Sequence, residues 1–159
     1  MPEVRGEAEA QGRRLAVVAS RFNGIVVAKL LDGALEGLRS RGAGEPDIDV
    51  VWVPGAFELP LVARRMAGSG LYDAVVCLGA VIRGETPHFD HVAQQAAEGI
   101  RRAGEATGVP VIFGVLTTDT FEQAMDRAGG THGNKGWDAA MAAMEMASLL
   151  DRLPKEGSP

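Results

Sequence analysis

Four short, mainly apolar runs recur along the chain, and each leads through a polar turn into a segment of helical periodicity. The runs occupy residues 15–19, 48–53, 73–80 and 109–116. Apolar runs of this length are typical of strands that are covered on both faces, as in a parallel sheet. Strands that alternate with helices predict right-handed crossovers and helices on both faces of the sheet. The predicted fold class is therefore α/β, a flavodoxin-like three-layer sandwich on a four-stranded parallel sheet.

The helices are predicted from apolar residues that return every three or four positions. The first helix has apolar residues at the spacing i, i+3, i+4, i+7, i+8 and i+11, which are Val27, Leu30, Leu31, Ala34, Leu35 and Leu38. Asn23 or Ser20 is a candidate N-cap of this helix, and Gly42 is a candidate stop. Further helices are expected over residues 60–67, 89–100, 121–128 and 135–153.

The last of these helices has two apolar faces. One face consists of Trp137, Ala140, Met141 and Met144, and the other of Met146, Leu149, Leu150 and Leu153. A helix that is apolar on two sides must be buried on both, which a small monomer can seldom achieve. We therefore expect a homo-oligomer in which this helix contacts a neighbouring subunit.

Length and composition indicate a single domain. The chain has 159 residues, of which 46% are apolar and 23% charged, as in an ordinary globular protein. The domain is assigned to residues 13–153, between an N-terminal tail, 1–12, and a C-terminal tail, 154–159. The polar N-terminal tail is interpreted either as frayed or as an arm that orders on a neighbouring subunit.

Charge and hydropathy argue against several classes of partner. The net charge of −5 disfavours nucleic acid, which is usually bound by a basic surface. No apolar run approaches the roughly 20 residues that a membrane span needs, and residues 1–12 lack the apolar core of a signal peptide. The single cysteine, Cys77, cannot form an internal disulfide and is interpreted as a buried, inert thiol. A cytoplasmic location is expected.

The stretch LGAVIRGETPHFDH, at residues 78–91, contains a strand end, a polar loop and a helix start. In open α/β sheets, ligands bind in the crevice at the carboxyl ends of the strands. The stretch also holds His88 and His91, two of the three histidines in the chain. Histidine both accepts and donates a proton near neutral pH, so His88 is a candidate acid/base residue, with an ordinary loop position as the alternative.

The other loops that follow strands carry residues with two interpretations each. Phe22 is either a core ring or a ring that stacks on a planar heterocycle. Glu58 is either a solvated charge at a helix start or an acceptor for sugar hydroxyls. The segment Gly84-Glu85-Thr86 is either a turn with a cap at Thr86 or a backbone site for an anion such as phosphate. Phe113 and Gly114, with the threonines after them, are placed at the fourth strand end.

Two basic residues, Arg127 and Lys135, are either surface charges or partners of a phosphate. The pair His88-x-x-His91 has no further cluster to complete a metal site, so no metal is expected. The chain lacks the G-x-G-x-x-G fingerprint after its first strand and a G-x-x-x-x-G-K-[ST] motif, so a dinucleotide site is not indicated. The residues favour a metal-free site for one planar and one phosphate-bearing substrate, without identifying the reaction.

Five motifs in register resemble the 6,7-dimethyl-8-ribityllumazine synthase family. They are SRFN at 20–23, VPGAFELP at 53–60, GAVIRGETPHFDHV at 79–92, VPVIFGVLTTDT at 109–120, and QAMDRAG with GNKGWDAAMAAMEMA at 123–147. The likeness runs from about residue 14 to 150. It implies a transferase of riboflavin biosynthesis that condenses 5-amino-6-(D-ribitylamino)uracil with 3,4-dihydroxy-2-butanone 4-phosphate. The products are the lumazine, phosphate and water, and no metal or organic cofactor is implied.

The resemblance also implies a role for individual residues. His88 corresponds to the proton-transfer residue. The residues that correspond to the ribitylaminouracil site are Phe22, Ala56, Phe57, Glu58, Ala80, Val81, Ile82 and Phe113, the last of which is donated across a subunit interface. Those that correspond to the butanone phosphate site are Glu85, Thr86, Arg127 and Lys135.

Assembly is implied by the same resemblance. The family forms pentamers with active sites between adjacent subunits, and some members pack twelve pentamers into an icosahedral capsid. The short segment RAGGTHGNK, at 127–135, favours the 60-subunit shell over a pentamer or decamer alone, and riboflavin synthase is a candidate partner. Two rival interpretations are a flavodoxin-like binding or signalling module and a structural shell without activity.

Overall fold

The computed structural model describes residues 1–157 and has a central sheet of four parallel strands. The strands are β1 (Leu15–Ser20), β2 (Ile48–Val53), β3 (Ala74–Ile82) and β4 (Val111–Thr118). Their spatial order is β2-β1-β3-β4, and all three neighbouring pairs are parallel. Every residue of β1 is buried, because this strand has a neighbour on each side and a helical layer on each face.

Five α-helices surround the sheet within residues 1–157. They are α1 (Gly24–Ser40), α2 (Leu59–Gly68), α3 (His88–Thr107), α4 (Phe121–Asp126) and α5 (Lys135–Arg152). The buried residues of α1 and α5 form one apolar cluster with side chains of the sheet, and those of α2 and α3 form another on the opposite face. The α/β flavodoxin-like sandwich predicted from the sequence is thereby confirmed.

The fourth strand lies two residues further along the chain than predicted. The expected range was 109–116, whereas β4 runs from Val111 to Thr118. Thr117 and Thr118, which the predicted range left beyond the strand, belong to it, since both pair with the end of β3. The turn is made by Thr120, whose hydroxyl accepts from the backbone N–H of Gln123 at 3.1 Å. The Gln123 side chain in turn accepts from the Thr120 N–H at 3.1 Å, which closes a capping box.

A small hairpin follows α4, where the sequence predicted only a break. Its strands are β5 (Ala128–Gly130) and β6 (Gly133–Asn134), which pair antiparallel. The Asn134 side chain caps α5 by accepting from the backbone N–H groups of Gly136 and Trp137 at 2.8 and 3.1 Å. Its amide also donates to the Lys29 carbonyl oxygen at 3.0 Å, which ties the hairpin to α1.

The N-terminal segment packs along α5 of its own chain. The backbone N–H of Glu7 donates to the Ser148 hydroxyl at 3.1 Å, and Arg152 donates to the Arg5 carbonyl oxygen at 2.6 Å. Ala10 is fully buried. Residues 5–10 are therefore held against their own chain and are not a frayed tail. The alternative of an arm that orders on a neighbouring subunit stays a prediction. The predicted C-terminal tail begins at residue 154, and its last two residues, 158 and 159, lie outside the described residues.

The two apolar faces predicted for α5 differ in their surroundings. The face that includes Met144 is buried against α1 and the sheet. On the other face, Met146, Leu150 and Leu153 stay 36–39% exposed, so the expected contact with a neighbour remains a prediction. Within residues 1–157, no helix combines the length and apolar character that crossing a membrane would need.

The lone cysteine lies where the sequence placed it. Cys77 is fully buried in the middle of β3. Burial raises the pKa of its thiol to about 12, because the thiolate would lose its hydration inside the sheet. The side chain therefore stays protonated at neutral pH, which argues against a nucleophilic role.

Candidate active site

A cleft of about 700 Å³ opens at the carboxyl edge of the sheet. Its walls come from the loop after β1, the segment between β2 and α2, the end of β3, and the first turns of α3. The lining residues are Phe22, Asn23, Pro54, Gly55, Ala56, Phe57, Glu58, Ala80, Val81, Ile82, Gly84, Thr86, His88, Phe89, His91 and Val92. The location matches the general position of ligand sites in open α/β sheets.

Backbone hydrogen bonds hold the loops after β1 and β2 side by side. The N–H of Arg21 donates to the Val53 carbonyl oxygen at 2.8 Å, and the N–H of Phe22 donates to that of Pro54 at 3.1 Å. Phe22 and Phe57 are 71% and 57% exposed, so the interpretation of Phe22 as a core ring was wrong. Two phenyl rings are thus presented at the mouth of the cleft, where they can stack on a planar ligand.

Asn23 connects the first loop to the end of β3. It stands at the N-cap position of α1, with φ 59° and ψ 44°, but its side chain does not cap the helix. Its amide instead donates to the Ala80 carbonyl oxygen at 2.8 Å. The left-handed conformation, which asparagine tolerates better than most residues, turns the side chain across to the neighbouring strand. The sequence identified Asn23 only as a candidate cap.

The end of β3 and the start of α3 form the opposite wall. Ala80 and Val81 are nearly buried, and Ile82 is partly exposed at the cleft. His88 is the first residue of α3, and it shares one helix face with His91 and Val92. The predicted cap at Thr86 is weak, since its hydroxyl lies 3.4 Å from the His88 N–H. The exposed imidazole of His88 can reach a ligand in the cleft.

Four predicted site residues lie outside this lining set. Glu85 is exposed in the loop before α3 without lining the cleft. Phe113 is the third residue of β4, packed towards α2 and α3, so its placement at a strand end was wrong. Arg127 and Lys135 flank the hairpin on the α1 and α5 side of the sheet, where the Lys135 N–H donates to the Arg127 carbonyl oxygen at 2.8 Å.

The charges of the cleft follow from this arrangement. Glu58 is the carboxylate of the lining set, and the set contains no Lys or Arg among the described residues. The two histidines supply ring nitrogens, but no described group of three or more His, Cys, Asp or Glu side chains could hold a metal ion. Backbone N–H groups at the N-terminus of α3 favour an anion. A lysine or arginine partner for a bound phosphate would therefore come from residues outside this lining set.

Comparison with known proteins identifies the family. A family model described as 6,7-dimethyl-8-ribityllumazine synthase matches residues 12–151. A 6,7-dimethyl-8-ribityllumazine synthase of Clostridium kluyveri is 52% identical over 153 residues, which are 96% of this chain and 99% of the relative. The chain belongs to the 6,7-dimethyl-8-ribityllumazine synthase family. The match confirms the resemblance found in the motifs, and with it the prediction of a transferase of riboflavin biosynthesis.

Several cleft residues of this lumazine synthase family member were not assigned to substrate binding by the sequence interpretation. They are Asn23, Pro54, Gly55, Phe89, His91 and Val92. Helical spacing carried a signal for the last of these, because His91 and Val92 follow His88 at i+3 and i+4. Pro54 and Gly55 lie inside the motif VPGAFELP. The contact of Asn23 spans 57 residues of sequence and leaves no local pattern.

Proposed function

We propose that this cleft condenses 5-amino-6-(D-ribitylamino)uracil with 3,4-dihydroxy-2-butanone 4-phosphate to give 6,7-dimethyl-8-ribityllumazine, phosphate and water. The observation that carries the proposal is the convergence of Phe22, Glu58 and His88 in one cleft, from three separate loops. The aromatic ring suits stacking on a planar heterocycle, and the carboxylate suits hydrogen bonds from a polyol chain. The imidazole suits the proton transfers of the condensation.

The pyrimidine is assigned to the wall between Phe22 and β3. Its ring would stack on Phe22, while the backbone of Ala80, Val81 and Ile82 offers hydrogen bonds to the uracil edge. The ribityl chain is assigned to the segment 56–58, where the Glu58 carboxylate accepts hydrogen bonds from hydroxyl groups. Phe113, which lies outside the lining set of its own chain, is proposed to reach the site of an adjacent subunit.

The butanone phosphate is assigned to the loop at residues 84–87. Thr86 lines the cleft, and Glu85 belongs to the same loop. The N-terminus of α3 follows directly and favours an anion. Arg127 and Lys135 are proposed to approach the phosphate from the adjacent subunit, because they lie beside the hairpin and not in the cleft of their own chain.

His88 is proposed to move protons during the condensation. The free amine of the pyrimidine attacks the butanone carbonyl, and a first water leaves as the imine forms. Phosphate is then eliminated, and the resulting enol tautomerises to a ketone. The ribityl-bearing nitrogen attacks this ketone, and loss of a second water closes the ring of the lumazine. Both substrates already carry the reactive groups, so holding them together supplies much of the acceleration. An imidazole that passes protons between the amine, the hydroxyl and the leaving groups adds to it. No step requires a residue that changes its oxidation state.

Assembly into pentamers is proposed from the exposed face of α5 and from the need for a cation at the phosphate. An icosahedral capsid of twelve pentamers is favoured, since the short hairpin between Arg127 and Lys135 leaves no insertion there. Sedimentation distinguishes it from isolated pentamers or decamers, which would contradict the capsid. A riboflavin synthase partner and a cytoplasmic location stay predictions from the sequence.

The function is tested by following lumazine absorbance after the two substrates are mixed with the purified protein. We expect acceleration over the uncatalysed reaction, and we expect Phe22→Ala to raise the KM for ribitylaminouracil about 10-fold, because base–aromatic stacking contributes about 1–3 kcal/mol. Phe121→Ala is the matched control, since this exposed ring on α4 lies outside the cleft. An assembled protein without acceleration would favour a binding module or an inactive shell.

A further inference from the structure

The side chain of Arg83 makes three contacts around the loop that precedes α3. Its Nε donates to the Asp119 carboxylate at 2.8 Å, and Nη1 lies 3.7 Å from the Asp90 carboxylate. The guanidinium also lies over the Phe89 ring, 4.5 Å from its centroid, which is within the range of a cation–π contact. The backbone N–H of Arg83 donates to the Thr118 carbonyl oxygen at 2.8 Å.

These contacts join the two ends of the loop 84–87. Arg83 directly precedes the loop, Phe89 and Asp90 lie in the first turn of α3, and Asp119 follows β4. All four loop residues are exposed. Its one side-chain hydrogen bond among the described residues is the long contact of Thr86 with the His88 N–H. Because the loop makes so few contacts of its own, its conformation depends on the contacts made by the residues at its two ends.

The position of Arg83 does not suggest a direct contact with substrate. Arg83 is absent from the lining of the cleft, whereas Phe89, on which its guanidinium lies, is part of that lining. A large contribution to folding is not expected either, because the Arg83 side chain is 48% exposed and exposed ion pairs add little stability. Its contacts instead set the geometry between β4, the loop and the helix that begins with His88.

We propose that Arg83 is a positioning residue, which holds the loop 84–87 closed by linking Asp119 to Phe89 and Asp90 and thereby orients the loop and His88 towards the cleft. The proposal rests on the assignment of this loop to the butanone phosphate. Backbone N–H groups bind an anion only while they converge on one point. Displacement of the loop by about 1 Å would lengthen N–H···O hydrogen bonds of about 2.9 Å beyond the distance at which they form.

The test compares Arg83→Ala, Asp119→Ala and the double variant while each substrate is varied in turn. For Arg83→Ala we expect the KM for butanone phosphate to rise about 10-fold and that for ribitylaminouracil to change less than about twofold. The double variant should be no worse than Arg83→Ala, because both changes break one link. Arg101→Ala is the matched control, since this exposed arginine of α3 forms an ion pair with Glu105, at 2.7 Å, on the helix surface.

A lowered melting temperature with both KM values unchanged would mark a purely structural role and overturn the proposal. Thr86→Ala distinguishes a failure of the site assignment, because the assigned loop offers the phosphate the Thr86 hydroxyl as a hydrogen-bond donor beside its backbone N–H groups. If Thr86→Ala leaves the KM for butanone phosphate unchanged, the phosphate loop is wrong and the proposal fails with it. If Thr86→Ala raises that KM and Arg83→Ala does not, only the positioning role fails. If Arg83→Ala does not fold, Arg83→Lys takes its place, because lysine keeps the charge but lacks the planar guanidinium. This variant must then raise the KM for butanone phosphate and leave that for ribitylaminouracil nearly unchanged.

Discussion

Replacement of His88 by alanine is expected to slow turnover about 10²–10⁴-fold while both substrates still bind, the range typical for loss of a general acid/base. His88 is exposed at the start of α3 and lines the cleft, so its replacement removes the proposed proton-transfer group without opening the core. The KM values should stay within about threefold, since stacking and phosphate binding are assigned to other residues. Steady-state kinetics by lumazine absorbance measures both quantities.

His91→Ala is the matched control for this prediction. His91 lines the same cleft one turn further along α3, so its loss changes the shape of the wall by a similar amount. We expect the turnover of His91→Ala to fall by less than about 10-fold. Added imidazole should restore part of the turnover of His88→Ala but not of His91→Ala. Equal losses in the two variants, or full turnover in His88→Ala, would remove His88 from the proposed mechanism.

The second large effect is expected on folding, at the contact between α1 and α5. Gly136 stands at the start of α5, where an added Cβ would lie within 2.7 Å of the Leu30 carbonyl carbon. Backbone atoms cannot rotate away as a side chain can, so Gly136→Ala must push the two helices apart. Overpacking of this kind lowers the free energy of unfolding by about 3 kcal/mol. For a chain of this length the melting temperature should fall by about 6–12 °C.

Gly24→Ala provides the control, because it is the same substitution at the first residue of α1. No atom lies within 4 Å of a Cβ built at Gly24. A change of less than about 2 °C in the melting temperature is expected, since the alanine meets no neighbour and lowers the entropy of the unfolded chain. Similar melting temperatures for the two variants would mean that α1 and α5 do not approach at Gly136.

The sheet was predictable from the sequence because burial on both faces leaves a continuous apolar run. The run at residues 15–19 became β1, which is buried along its whole length. The hairpin of β5 and β6 escaped prediction, since strands of three and two residues are too short for a periodic pattern. The packing of residues 5–10 was not predicted for a related reason. These residues contact α5 mainly through backbone groups, which give no pattern of side chains in the sequence.

The site was predictable in part. Motifs indicated the three loops that carry Phe22, Glu58 and His88, because the strands before them are parallel and must end at one edge. Phe113 was misplaced at the carboxyl edge, although it lies in the interior of both the predicted strand, 109–116, and β4. The amide of Asn23 and the guanidinium of Arg83 make their contacts with residues 57 and 36 positions away. Contacts of that kind are set by the tertiary fold and leave no trace in local spacing.

Co-assembly of two inactive variants is the most direct test of a site shared between subunits. His88 lies in the cleft and Arg127 lies away from it in the same chain. In the proposed assembly, each complete site therefore takes one residue from each of two subunits. An equal mixture of His88→Ala and Arg127→Ala, unfolded and reassembled together, should recover about a quarter of the wild-type activity, because half of the clefts keep His88 and half of their neighbours keep Arg127. Activity no higher than that of the separate variants would place both residues in a single-subunit site and contradict the shared cleft.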